Sequence, residues 1–147
     1  MELQVLNKKE ISRILEKIKE QFGIKEIKLD YGILKNKEGR IFLISKDISK
    51  VDLSKLRINE LGLYVGKYDK ELRLTIEGSQ FFGKYATKNI YEVDEDDAYG
   101  WMSGNKIKCE KPYNGFVIIK YKDNFLGTGK YKDGEILNYV PKERWIK

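Results

Sequence analysis

Histidine is absent from all 147 residues, and with it the side chain whose ionisation falls nearest neutral pH. Triads and metal sites that depend on histidine are excluded. An enzyme built on this chain would have to work through carboxylates, lysine, tyrosine or a thiol. Cysteine occurs once, as Cys109. It has no partner for an internal bridge or a metal cage, which fits a reducing cytosol. Arginine is scarce too, with 5 against 24 lysines. No apolar run approaches the roughly 18 residues of a membrane span, and the N-terminus lacks a signal-peptide core. A soluble cytoplasmic protein with no membrane partner is expected.

What is present is positive charge and a chain long enough to bury a core. The formal net charge is +6 and the sequence pI about 9.2. That balance suits a polyanionic partner, but Lys- and Glu-rich surfaces are also a thermophile habit, so charge leaves both readings open. A chain near this length buries about 68–70% of its unfolded surface. It suits one compact domain or two small ones packed together.

The segment Asn7-Lys8-Lys9-Glu10 reads as a helix cap with a returning glutamate. Ile11, Ile14, Leu15, Ile18 and Phe22 follow at helical spacing, and Gly23 supplies the stop. Ile27, Leu29, Tyr31 and Ile33 alternate as a half-buried strand, and a turn over Asn36–Gly39 leads into a strand over Ile41–Ile44. Ser45 is placed to cap a short helix through Leu56. Leu61, Leu63 and Val65 predict a strand; Leu72, Leu74 and Ile76 predict another beyond a turn at Tyr68–Lys70. A helix is expected over Glu77–Tyr85. Beyond Lys88 the texture shifts to short strands: Ile90–Val93, Lys106–Cys109, Phe116–Tyr121, Phe125–Tyr131 and Glu135–Val140. A helical turn over Asp96–Met102 stops at Gly104. Five strands in so short a span predict a closed or nearly closed small barrel.

Three motifs invite chemistry, and each has a plainer reading. Gly127-Thr128-Gly129-Lys130 looks like the end of a phosphate loop. The first glycine of that pattern would fall at Asn124, Tyr131 stands where Ser or Thr is required, and a strand follows instead of a helix. The glycines instead suit a strand along which backbones pass closely. The acidic run Glu92–Asp97 fails as a calcium loop at Ala98 and suits a helix N-terminus capped by Asp94 or Asp96. Cys109 sits on a strand as a semi-buried, inert thiol. The remaining constellation is basic and aromatic. Lys130, Lys132, Lys142, Arg144 and Lys147 crowd the C-terminal strands among Tyr131, Tyr139 and Trp145. It suits phosphates and unpaired bases, or equally a barrel with core aromatics and solvated lysines.

The stretch "GFVIIKYKDNFLGTGKYKDGEILNYVPKERWIK" resembles the PUA-type C-terminal module of Nol/Nop/Sun (Fmu) RNA 5-methylcytosine methyltransferases. The likeness is carried by Leu126-Gly127, Gly129-Lys130, Asn138, Pro141-Lys142 and Arg144, with "AYGWMSGNKI" upstream. The opening helix, "GRIFLISKDI" and "GKYDKELRLTIEGSQFFGKYA" also resemble the two-domain ribosome-biogenesis proteins of the Nip-seven type. The resemblance implies an α+β protein in which an N-terminal α/β pre-PUA domain, residues 1–87, packs against a small C-terminal PUA-like β-barrel, residues 88–147. It implies RNA binding in ribosome biogenesis or rRNA processing and modification, without catalysis, metal or cofactor. The partner is rRNA or a pre-ribosomal particle, together with an RNA-modifying enzyme or assembly factor. A protein-interaction adaptor docking on such an enzyme is the alternative. Methyl transfer does not carry over, because Cys109 lies inside the PUA-like part and follows Lys108. Phosphate contacts are expected from Lys130, Lys142, Arg144 and Lys147, then from Lys106 and Lys108, with Tyr131 stacking on a base.

Overall fold

Local signals suffice for the first helix. In the computed structural model, which describes residues 3–27, 31–45 and 62–146, helix α1 spans Lys8–Phe22. Asn7 accepts the Glu10 backbone N–H at 2.9 Å, and the Glu10 carboxylate accepts the Asn7 N–H at 3.3 Å. Gly23 ends the helix at φ 62°, a left-handed turn that costs glycine little.

The face carrying Ile14, Ile18 and Phe22 covers a five-stranded antiparallel sheet. Its strands are β1 (Leu3–Val5), β2 (Tyr31–Asn36), β3 (Arg40–Ser45), β4 (Gly62–Tyr68) and β5 (Leu72–Leu74), in that spatial order. The turn between β2 and β3 is held by the Asn36 side-chain oxygen, which accepts the N–H groups of Glu38 and Arg40. Lys28–Asp30, the helix expected after Ser45, and Leu61 lie outside the described residues. Ile76 departs from expectation, beginning helix α2 (Ile76–Gly83) instead of prolonging β5. The cause is Thr75: its hydroxyl accepts the Gly78 N–H at 3.0 Å and donates to the Tyr64 carbonyl at 2.7 Å, so the chain turns there.

The second half holds β6 (Ile90–Glu92), α3 (Glu95–Met102), β7 (Ile107–Lys108), β8 (Phe116–Tyr121), β9 (Asn124–Lys132) and β10 (Glu135–Asn138). A 3₁₀ turn follows at Lys142–Arg144. Asp94 caps α3 by accepting the Asp97 N–H at 2.8 Å. The strand order is β6-β8-β9-β10-β7, with β6 parallel to β8 and the other pairs antiparallel. Among the described residues the ladder leaves β6 and β7 as edges, so the expected closure is incomplete and the sheet is an open, curled half-barrel. Gly129 makes that curl possible: a Cβ there would meet the Leu137 carbonyl and the Trp101 ring.

The two sheets meet along a seam. Gln21 on α1 donates to the carbonyls of Asn114 and Phe116 at 2.9 and 2.8 Å. Thr128 donates to the Leu74 carbonyl at 2.8 Å, and the Gly127 N–H donates to Ser79 at 2.9 Å. Apolar residues cross it as well. Ile118 and Phe125 join the core under α1, while Ile76 joins the core around Trp101.

Candidate nucleic-acid interface

The cations expected to meet phosphate fall into two groups. Lys130 lies on β9 and ion-pairs with Glu71 at 2.7 Å. That hydrogen bond, then the Glu71 charge, raises its pKa from the ordinary lysine value. Arg144, in the 3₁₀ turn, holds both carboxylate oxygens of Glu77 at 2.6 Å. Lys142 is exposed two residues earlier, over the Trp145 ring. Lys130 and Arg144 thus each reach from the second half to a carboxylate of the first. Lys106 and Lys108 sit apart at the β7 edge, where Lys106 pairs with Glu135 at 3.0 Å. Lys147 lies outside the described residues.

Tyr131 does not join Lys130. Neighbouring residues of a strand point to opposite faces. The Tyr131 ring meets Tyr113 edge-on at 6.3 Å and packs on the core around Trp101. The exposed ring in this part of the chain is instead Tyr139, at 38%.

Between the sheets opens a cleft of about 430 Å³. Arg40, Arg73 and Arg144 line it, with Tyr64 and Tyr139 among them and Gly127 and Thr128 contributed by β9. Arg73 lies over the Tyr139 ring at 5.2 Å, and Arg40 over Tyr64 at 5.6 Å. Such arginine–ring pairs present a planar cation on an aromatic face. Arg40, Arg73 and Tyr64 were missed in the sequence because they lie on strands of the first sheet, far from the basic C-terminus. The available signal was scarcity: in a lysine-dominated chain, arginine marks places where a flat, forked head group is wanted.

The other chemical candidates are accounted for by packing. Cys109 is 1% exposed and donates to the Lys111 carbonyl at 3.2 Å. Burial pushes its thiol up from the usual value, only partly offset by Lys111. Burial likewise raises Tyr91 and Tyr113. Among the described residues no group of three or more Asp, Glu or Cys could hold a metal, and no helix is long and apolar enough to cross a membrane.

The second half is thus a parallel strand entering a capped helix, followed by a curled sheet whose other pairs are antiparallel. Residues 88–146 match the family of the methyltransferase RsmF PUA domain. Over those residues the chain therefore resembles the C-terminal PUA module of the Sun/Fmu methyltransferases. It is similar to two proteins named ribosomal RNA small subunit methyltransferase F. One, from Aeromonas salmonicida, is 29% identical over 137 residues; the other, from Aeromonas hydrophila, is 30% identical over the same length. Each match takes in 92% of this chain, so the likeness extends upstream of the PUA segment. A namesake from Psychromonas ingrahamii is 25% identical over 84% of the chain. The chain spans only 28% of the length of the two Aeromonas relatives.

Proposed function

We propose that this protein binds RNA, in rRNA modification or ribosome assembly, without itself transferring a methyl group. The PUA match over residues 88–146 carries this reading, since its relatives are named for acting on ribosomal RNA. On this reading the protein is cytoplasmic and meets rRNA or a pre-ribosomal particle, alongside a modifying enzyme or assembly factor. Residues 1–87 form a pre-PUA domain and 88–147 the PUA domain. Lys130, Lys142 and Arg144 contact phosphates beside the seam, and Lys106 and Lys108 form a second, weaker patch.

Equilibrium titration with structured rRNA at two salt concentrations tests the proposal. The logarithm of the binding constant should fall with log salt by about 0.7–0.9 for each phosphate neutralised. Lys142→Glu with Arg144→Glu should weaken binding more than Lys17→Glu with Lys19→Glu on α1. A salt-independent affinity, or equal effects of the two pairs, overturns it. Nuclease-resistant capture of a protein partner, with no RNA bound by the isolated chain, would favour the adaptor role.

A further inference from the structure

We infer that the seam cleft is a subsite for one unpaired RNA nucleotide, its base on a tyrosine face and its phosphate on arginine. The inference rests on the RNA-binding reading but names a site that neither the PUA match nor the basic C-terminus assigns.

Composition points to the cleft first. Only five arginines occur in the chain, and three of them line this one space. Of the others, Arg13 is on α1 and Arg57 lies outside the described residues. Lysine serves as a point charge, whereas the guanidinium fork matches phosphate and its plane stacks on rings or bases. Geometry agrees, because each of Arg40 and Arg73 is already laid on a tyrosine. Tyr139 is held by an edge-on contact with Phe116 at 5.3 Å and remains 38% exposed. A rigid exposed ring beside a planar cation is the arrangement on which an unpaired base stacks.

Size and charge narrow the ligand. A cleft of about 430 Å³ lies at the small end of ligand sites, roughly 300–1,000 Å³. Its three arginines face Glu77 and Glu143, leaving one net positive charge. That matches a single phosphodiester better than a di- or triphosphate. The cleft cannot admit a duplex, and the Arg144–Glu77 pair at its rim leaves Arg40 and Arg73 as the cations without a carboxylate partner among the described residues.

The test uses the full chain and three probes: an RNA hairpin with a five-nucleotide single-stranded overhang, the same hairpin blunt-ended, and free nucleoside monophosphates. The wild type should prefer the overhang. A 2-aminopurine in the overhang should lose fluorescence on binding. Tyr139→Leu should weaken overhang binding roughly tenfold, abolish the quenching and leave blunt-hairpin affinity unchanged. Tyr139→Phe, which keeps the ring, should restore both, and this also separates stacking from any loss of folding. Arg73→Lys keeps the charge and should still lose most of the preference. Equal loss for both hairpins, or full function in Tyr139→Leu, overturns the subsite while leaving RNA binding intact. Free monophosphates bound as tightly as the overhang would make it a small-molecule site instead. Failure of the wild type to bind any RNA removes the proposed function itself.

Discussion

At the scale of single residues, carboxylates govern how much of the basic surface is available. Lys130 and Arg144 are engaged by Glu71 and Glu77, and such exposed, solvent-screened pairs contribute little to stability. An arriving phosphate can therefore replace Glu71 at small cost. Glu71→Gln should tighten RNA binding severalfold at low salt and steepen its salt dependence, as read by titration; unchanged affinity would take Lys130 out of the interface. Two half-buried tyrosines and the buried thiol set the alkaline limit. Cys109, Tyr91 and Tyr113 all have raised pKa values, chiefly through burial. A raised pKa means the folded state keeps its proton longer than the unfolded chain. This stabilisation is complete below the ordinary thiol value of 9.0 and is lost as pH rises through the folded value. Urea midpoints should hold steady from neutrality to about pH 9 and fall above it. A rise there would contradict the burial.

At the scale of elements, glycines separate turns that need freedom from strands that need closeness. Gly134 has φ 82° and open space where a methyl group would stand, whereas a methyl at Gly129 would press on the Leu137 carbonyl and Trp101. Gly134→Ala should cost about 1–2 kcal/mol of backbone strain. Gly129→Ala should cost more, because backbone and a fully buried ring must both move. Thermal denaturation of the two variants checks the ranking, and equal losses would mean that β9 is less confined than the contacts show. Elements with local signals were legible beforehand. The capping box of α1 and strand β8 fall where the residue pattern puts them, and of the two caps expected for α3 the chain uses Asp94. Ile76 was misplaced because alternation continued through it, while Thr75 stops the strand through a tertiary hydrogen bond to Tyr64.

At the scale of the whole molecule, the two halves proposed as domains share their packing. Ile118 and Phe125 from the second sheet sit in the core under α1, and Gln21 bridges back to the loop before β8. The protein should therefore unfold as one unit. Both tryptophans, Trp101 and Trp145, belong to the second half, so their fluorescence reports that half alone, whereas far-UV circular dichroism reports both. The two unfolding curves should coincide, and Ile118→Ala, at a cost of about 2–5 kcal/mol, should shift both together. Separate transitions would show two independent domains.

The sequence by itself determined helix α1, the strands of the second half, the PUA resemblance and the failure of the nucleotide loop, because caps, periodicity and motif spacing are local properties. The basic C-terminus was legible for the same reason. Only the tertiary structure decided that Lys130 and Tyr131 face apart, that carboxylates already hold Lys130, Arg144 and Lys106, and that the half-barrel stays open. It alone brought Arg40 and Arg73 of the first sheet beside Tyr139 of the second half. Residues so far apart along the chain meet only when the two sheets pack, and no local pattern encodes that meeting.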